Sequence, residues 1–401
     1  MKKIYLDYAA TTPVDKKVLK AMLPYFGEKY GNASSIHNFG REASVAVEEA
    51  RKLAADFFGA QPREIIFTSG ATESNNLAIK GAVKAYWTDK NNNKKPHIIA
   101  TSIEHHSILD VCESLKRDKL AEITLVDPQK NGVVKISDIE KALKPNTILV
   151  SVMYVNNEIG TVQPIVELGK IIKRYNPKIL FQTDATQAVN YFDCDVNRLG
   201  VDLMSLSAHK IYGPKGAGVL YIRNSVAVKR IQDGGGQERN LRAGTINTPG
   251  IVGLGAAIKE IKNSKFKIKN GKIGELRDYL IGRVLKEIPK VRLNGSKIRR
   301  SPNNANFTFQ NVEGESLIIL LSQAGIAVST GSACSSGSLN PSHVLLAIGL
   351  KPEQTHGSLR ITLGKYTTKE EIDYATDKLK IIIDKLRRVS GNVLDEYYHK
   401  H

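Results

Sequence analysis

From Ile65 to Ala185, short and almost wholly apolar runs alternate with longer segments in which apolar residues recur every three to four positions. The runs "EIIFTS", "HIIAT", "TILVSVMYV" and "KILFQTDA" have the length and β-branched content of strands. Between them, "ATESNNLAIKGAVKAY", "SILDVCESLKRD" and "IVELGKIIKRY" read as amphipathic helices. Strands with no alternating polar face must be covered on both sides, so the pattern predicts α/β architecture with a mainly parallel sheet between helical layers. After Lys210 the rhythm changes to "GAGVLYI", a glycine run at 234–236 and two long helical stretches over roughly 250–288. The final third reads as strand ("NANFTF"), helix ("GESLIILLSQAG"), strand ("IAVST"), helix ("SHVLLAIG"), strand ("SLRITLG") and a last helix. On that helix Ile372, Ala375, Leu379, Ile382 and Leu386 share one apolar face, which predicts a second, compact α+β unit.

Composition narrows the class. The 401 residues leave room for more than one core, and 41% hydrophobic with 24% charged residues is ordinary for a globular protein. No apolar run approaches the roughly 20 residues that span a bilayer, so no membrane segment is expected. At the N-terminus, "MKKIYLDYAATTPVD" turns acidic and polar directly after its lysines, leaving no signal-peptide core and pointing to the cytoplasm. The three cysteines, Cys112, Cys194 and Cys334, have no ligand or disulfide spacing; free thiols in a reducing compartment and no cysteine-bound metal are expected. A net charge of +18 would suit a nucleic-acid binder, but the lysines are scattered without interleaved aromatic residues. A solvated basic surface favouring acidic partners, with no direct nucleic-acid contact, is the expectation.

Chemistry gathers at the predicted strand ends. Lys210, in "SLSAHKIYGPKG", follows a strand beside Ser207 and His209. Such a lysine suits either a Schiff base with an aldehyde cofactor or a surface turn. Asp184 ends the strand "KILFQTDA" and Gln187 follows three residues later, at the sheet edge where ligands bind in such folds. An acidic group there matches the pyridinium partner that pyridoxal phosphate requires, and Gln187 suits the ring's phenolic oxygen. In "FTSGATESNN" a strand, a glycine turn and a helix start leave the N–H groups of Ala71 and Thr72 available to phosphate. Ser69 and Thr72 before Glu73 equally fit a helix cap. His105 follows another strand end, placed to stack on an aromatic cofactor, to cap a helix or to form a surface pair with His106; the two lack a third ligand for a metal. Arg360, between Leu359 and Ile361, faces away from their apolar side and can clamp a carboxylate or sit exposed on a strand. Cys112 belongs to the apolar face of its helix, while Cys194 lies between Asp193 and Asp195, whose charge opposes thiolate formation. Cys334 is different. The stretch "VSTGSACSSGSLNPSH", 328–343, offers it no packing surface and predicts a thiol on a mobile loop.

Taken together, "YLDYAATTP", "FTSGATESNN", "VNNEIG", "TDATQAV", "SAHKIYGPKG", "RAGT", "VEGESL" and the cysteine loop run through nearly the whole chain in an order that resembles the cysteine desulfurases. These are pyridoxal-phosphate enzymes of the class V aminotransferase group, and the long cysteine loop resembles the first of their two groups, the NifS/IscS-like one. The resemblance implies a fold type I transferase: a large domain over 15–260 with a mainly parallel seven-stranded sheet, and a smaller domain from 1–14 and 261–401 carrying the cysteine loop. It implies Lys210 as the Schiff-base lysine, Asp184 and Gln187 on the ring, His105 over it, and Ala71, Thr72, Ser207 and His209 around the phosphate. Asn157 and Arg360 would hold the substrate carboxylate, and Thr245 would reach the phosphate of a neighbouring subunit, so a homodimer is expected. The implied activity converts L-cysteine to L-alanine, with sulfur passing to Cys334 as a persulfide. A sulfur-acceptor protein of iron–sulfur cluster assembly or tRNA thiolation would take it onward. An aminotransferase or a selenocysteine-lyase-like enzyme of the same class is the alternative.

Overall fold

A computed structural model describes residues 3–89, 92–263, 266–330 and 340–399. The chain opens with β1 (Ile4–Tyr5), α1 (Lys16–Met22) and α2 (Asn38–Phe58). A run of alternating elements follows: β2 (Ile65–Thr68), α3 (Ala71–Thr88), β3 (His97–Thr101), α4 (His106–Arg117), β4 (Glu122–Val126), α5 (Ile136–Ala142), β5 (Thr147–Ser151), α6 (Ile165–Tyr175), β6 (Leu180–Asp184), α7 (Val196–Leu199), β7 (Leu203–Ser207) and β8 (Gly218–Ile222). The strands β2 to β8 form one seven-stranded sheet in the order β2-β8-β7-β6-β5-β3-β4. Only β8 runs against its neighbours, pairing antiparallel with β2 and β7. The sheet is therefore mainly parallel, as its unbroken apolar strands require: β2, β3, β7 and β8 are buried along their whole length.

Two apolar layers cover the sheet. On one face Phe67, Val150, Phe181, Met204 and Tyr221 pack with α2, α6 and α8 (Thr248–Asn263). On the other, Ile66, Ile98, Leu149 and Leu203 pack with Leu77 and Val83 of α3 and Ile108, Val111 and Cys112 of α4. The helix α2 was not evident in the periodicity because its buried stripe is built mostly from Ala43, Ala46, Ala50, Ala54 and Ala55. Alanine gives a weak hydrophobic signal while letting helices approach closely.

The remaining elements are α9 (Phe266–Glu287), β9 (Val291–Leu293), β10 (Asn304–Phe309), α10 (Gly314–Gln323), β11 (Ile326–Ala327), α11 (His343–Ala347), α12 (Pro352–Thr355), β12 (Ser358–Thr362) and α13 (Lys369–His399). Most of them build a separate core around a three-stranded antiparallel sheet, β12-β10-β9, while Val344 and Leu345 of α11 pack with Ile103, Met153 and Ile159. The N-terminal β1 pairs with β11, and Ile4 and Leu6 are buried in this second core. The chain between Asp7 and Thr12 thus crosses from the second core to the sheet, where the Thr12 N–H donates to the His209 carbonyl. That crossing places the N-terminal segment over the carboxyl ends of the parallel strands.

Candidate active site

The carboxyl ends of β2, β3, β5, β6 and β7 open into one cavity of about 520 Å³. Ala71, Thr72, His105, Asn157, Asp184, Gln187, Ser207, His209, Lys210 and Arg360 all line it. These ten residues were singled out along 290 positions of sequence; the parallel topology brings those that follow its strands to one edge, and Arg360 reaches the same cavity from β12 of the second sheet.

Lys210 stands on the turn after β7. Its Nζ donates to the carbonyls of Ala9 and Ala10, at 2.7 Å each, so the N-terminal crossing segment forms the wall against which the amine rests. Gln187 Nε2 donates to the same Ala9 carbonyl at 3.0 Å. Asp184, at the tip of β6, is buried; Oδ1 accepts the Thr186 N–H at 2.9 Å and Oδ2 accepts Asn75 Nδ2 at 2.9 Å. His105 is the N-cap of α4, its Nδ1 accepting the Ser107 N–H at 3.1 Å and lying 2.9 Å from Ser107 Oγ. The capping role and the cavity position coincide. With Nδ1 an acceptor, the proton of the neutral ring sits on Nε2. Burial lowers the His105 pKa from its usual value, Asp184 opposing and Lys210 adding to the shift.

At the phosphate end, α3 starts at Ala71 behind Gly70, and its first N–H groups have no intrahelical acceptor. The side-chain cap expected here is only half formed: Glu73 reaches back to the Ser69 N–H at 2.7 Å, and its other oxygen accepts Arg242 Nε at 3.0 Å. Glycine is required on β8, where a Cβ on Gly218 would lie 2.5 Å from Gly70 Cα. His209 Nδ1 contacts Thr11 Oγ1 at 3.1 Å, and burial, then Lys210 and Lys215, hold its pKa down at about 4. A neutral imidazole, a buried Ser207 and open helix N–H groups are a donor set suited to a phosphate. A buried carboxylate and an imidazole face the space between them, with Lys210 at the side. The residues fit pyridoxal phosphate.

Arg360 is 2% exposed, so the polar face of β12 is covered as thoroughly as the Leu359 and Ile361 face. Its Nη2 pairs with Asp7 at 3.0 Å and its Nη1 donates to the Asn157 carbonyl at 2.9 Å, while Nε is buried without a protein acceptor. Burial raises the Asp7 pKa and Arg360 opposes that rise. A guanidinium with an unsatisfied buried donor at the cavity wall matches a carboxylate ligand.

Two expected site residues are not placed in this cavity. Thr245 is exposed and does not line it. Cys334 and the rest of 331–339 lie outside the described residues. The flanks of that segment are nevertheless held at the site: Ser329 exchanges backbone hydrogen bonds with Arg360 (3.2 and 2.7 Å), Ser342 Oγ donates to buried Glu158 at 2.5 Å, and His343 Nε2 donates to the Glu104 carbonyl at 2.9 Å. Cys112 and Cys194 are both buried. Burial alone raises the Cys194 pKa, which replaces the flanking aspartates as the cause; Asp195 is engaged in capping α7. Among the described residues no cluster of metal-ligating side chains forms, and no helix is long and apolar enough to cross a membrane.

Asn75, Ser107 and Asp7 are site residues that pattern reading missed. Asn75 alone carried a signal, as a polar residue one turn beyond Ala71 at the start of the buried face of α3.

Comparison with known proteins agrees with this geometry. The class-V aminotransferase family model matches residues 4–375. The chain is 52% identical over 390 residues to the cysteine desulfurase IscS of Dictyoglomus turgidum, covering 97% of this chain and 96% of that one. A solved NifS-like protein superposes with a TM-score of 0.88 at 37% identity, covering 96% of this chain and all of that one. A structure of SspA in complex with cysteine superposes with a TM-score of 0.78 at 38% identity, over 92% of this chain and all of SspA. With its lysine, carboxylate, imidazole and guanidinium gathered in one cavity, this chain belongs to the class-V aminotransferase family and, within it, to the cysteine desulfurases.

Proposed function

We propose that the protein uses pyridoxal phosphate to convert L-cysteine to L-alanine and stores the sulfur on Cys334 as a persulfide for an acceptor protein. The observation that carries this reading is the convergence of Lys210, Asp184, His105 and Arg360 on one cavity. When bound, pyridoxal phosphate supplies an aldehyde for an amine and a protonated ring that takes up the electron pair left at the substrate α-carbon. Lys210 would hold the cofactor covalently and, once released, its amine takes the α-proton. Asp184 keeps the ring nitrogen protonated and Gln187 bonds the phenolic oxygen. Ala71, Thr72, Ser207 and His209 receive the phosphate, His209 as a neutral donor.

Arg360 and Asn157 bind and orient the substrate carboxylate, a role supported by their place on the cavity wall and by the buried Arg360 Nε without a protein acceptor. His105, with its proton on Nε2, is a hydrogen-bond donor toward the substrate sulfur. Cys334 then attacks the sulfur. Cysteine and a protein thiol become alanine and a protein persulfide, so atoms and electrons balance without an outside oxidant. The acceptor, a protein of iron–sulfur cluster assembly or RNA thiolation, takes the terminal sulfur, and the net charge of +18 favours an acidic partner.

A homodimer in the cytoplasm completes the proposal, together with a division into 15–260 and 1–14 with 261–401. Support for the dimer comes from Leu19, Leu23, Phe26, Tyr30, Ile36 and Phe39, a run of exposed apolar side chains in which Ile36 is 96% exposed. Exposed Thr245 is then available to a neighbouring subunit's phosphate site. The deciding experiment is intact-protein mass spectrometry after cysteine addition without reductant. One added sulfur atom, mapped to the Cys334 peptide, with alanine formed in equal amount, is expected; alanine absent, or appearing only with an oxo-acid acceptor, overturns the reading.

Two further results are expected. Arg360→Lys keeps the charge but loses the planar fork, and the loss of a charge-assisted hydrogen bond raises KM for cysteine about 10- to 100-fold. The kcat value changes less, which steady-state kinetics resolves. Burial lowers the His105 pKa from the ordinary histidine value and so favours the neutral ring. Protonation at Nδ1 would break its acceptance of the Ser107 N–H, so the acid limb of the kcat profile falls below the ordinary histidine range. A limb centred at or above pH 6.5 that disappears in His105→Gln contradicts that assignment.

A further inference from the structure

Beneath the floor of the cavity, fully buried on α3, Asn75 uses both ends of its amide. Nδ2 donates to Asp184 Oδ2 and to Ser107 Oγ, at 2.9 Å each. Oδ1 accepts from Ser205 Oγ at 2.5 Å and from Gln182 Nε2 at 3.1 Å. The orientation is fixed chemically: an ionised carboxylate only accepts, so the atom facing Asp184 is the amide nitrogen. One side chain therefore joins β6, β7 and α4 and reaches both groups that flank the cavity. It binds Asp184 directly. It reaches His105 through Ser107, whose hydroxyl accepts from Asn75 and so turns its own proton toward His105 Nδ1, 2.9 Å away.

We propose that Asn75 is a positioning residue, holding the Asp184 carboxylate and the His105 imidazole in register with each other. The inference rests on the reading that this cavity takes pyridoxal phosphate between those two groups. Asp184 has a second donor in the Thr186 N–H, but that bond lies along its own chain and moves with it. Asn75 supplies the contact from a different element, which is what fixes a carboxylate's rotation. Asn75 touches neither substrate nor cofactor; its effect passes through Asp184 and Ser107.

Two variants test this. Asn75→Leu keeps the branched heavy-atom shape and removes all four hydrogen bonds. The expected result is apparent affinity for pyridoxal phosphate at least tenfold weaker, measured by absorbance titration of the apoprotein. With saturating cofactor kcat should fall at least tenfold, while KM for cysteine stays within threefold because Arg360 and Asn157 are untouched. Asn75→Asp retains the acceptor and offers one donor while the two facing carboxyls share a proton. It should restore cofactor affinity and kcat at pH 6 and lose both as the pH rises, a limb the wild-type protein lacks. Should the leucine variant fail to fold, the pH dependence of the aspartate variant decides alone. Wild-type cofactor affinity and kcat in a folded Asn75→Leu, or an Asn75→Asp protein whose cofactor affinity and kcat do not fall with rising pH, overturns the inference. A wild-type protein that takes up no pyridoxal phosphate overturns the underlying reading instead, before either variant is measured.

Discussion

Lys210→Ala is expected to lower turnover of cysteine by about 10³-fold or more and to abolish the covalent visible absorbance of bound pyridoxal phosphate. The expectation follows from position. Lys210 Nζ is held at the cavity wall by two carbonyls from the N-terminal segment, Ala9 and Ala10, within the space bounded by Asp184 and His105. Removing the amine removes the covalent attachment and the group that would carry the α-proton, so both losses appear together. The same change leaves two carbonyls without that donor, and a modest drop in thermal stability accompanies it. Lys210→Arg separates the effects: it can keep donors near Ala9 and Ala10 and so retain stability, yet a guanidinium forms no imine. A competing amine exists in the same cavity, since Lys215 also lines it and is exposed. Borohydride reduction of the loaded protein followed by peptide mapping distinguishes them. A pyridoxyl group on the Lys215 peptide would end the assignment of Lys210.

Such a result would test a residue that sequence pattern alone left balanced between an imine and a surface turn. What tipped the balance was its neighbours, and neighbours are legible only where the chain places them close in sequence. Asp184 and Lys210 ended strands that were plain from continuous apolar runs, and parallel strands bring their carboxyl ends to one edge. Elements with mixed faces were harder. The edge strand β4 exposes Glu122 and Leu125, so it lacks the unbroken apolar run that marked its neighbours. Arg360 shows the same limit in the site. Its alternation with Leu359 and Ile361 gave its face correctly, but the partners that bury it, Asp7 and Asn157, are 353 and 203 residues away in sequence. The buried amide of Asn75 was still less accessible, because its four bonds reach Ser107, Gln182, Asp184 and Ser205, and only the folded sheet edge makes them neighbours. Residues that line the cavity stand in recognisable segments; the buried residues behind them are assembled by topology.

Cys334→Ala should keep the cofactor's absorbance and its response to cysteine while abolishing protein-bound persulfide and at least 99% of sulfide release under reducing conditions, a loss of about 10²-fold or more. The structure's share of this argument is the other two thiols. Cys112, on α4, is 2% exposed and packed with α3 and the sheet, and burial pushes its pKa up to about 12. At pH 7 its thiolate fraction is then about one part in 10⁵. Cys194 is equally buried, and burial raises its pKa as well. Neither thiol lines the cavity, so neither has the ionisation or the access to attack a substrate sulfur. Cys334, by contrast, lies between two anchors that are tied to the site, Ser329 on the Arg360 backbone and Ser342 on Glu158. The control is a chain with Cys112→Ser and Cys194→Ala together, which should gain one sulfur atom from cysteine at the wild-type rate. Mass spectrometry of both proteins makes the comparison. Sulfur found on Cys112 or Cys194 in the Cys334→Ala protein, at a yield matching its alanine, would show that the thiol collecting the sulfur is one the fold keeps buried, and the proposed transfer to Cys334 would be wrong.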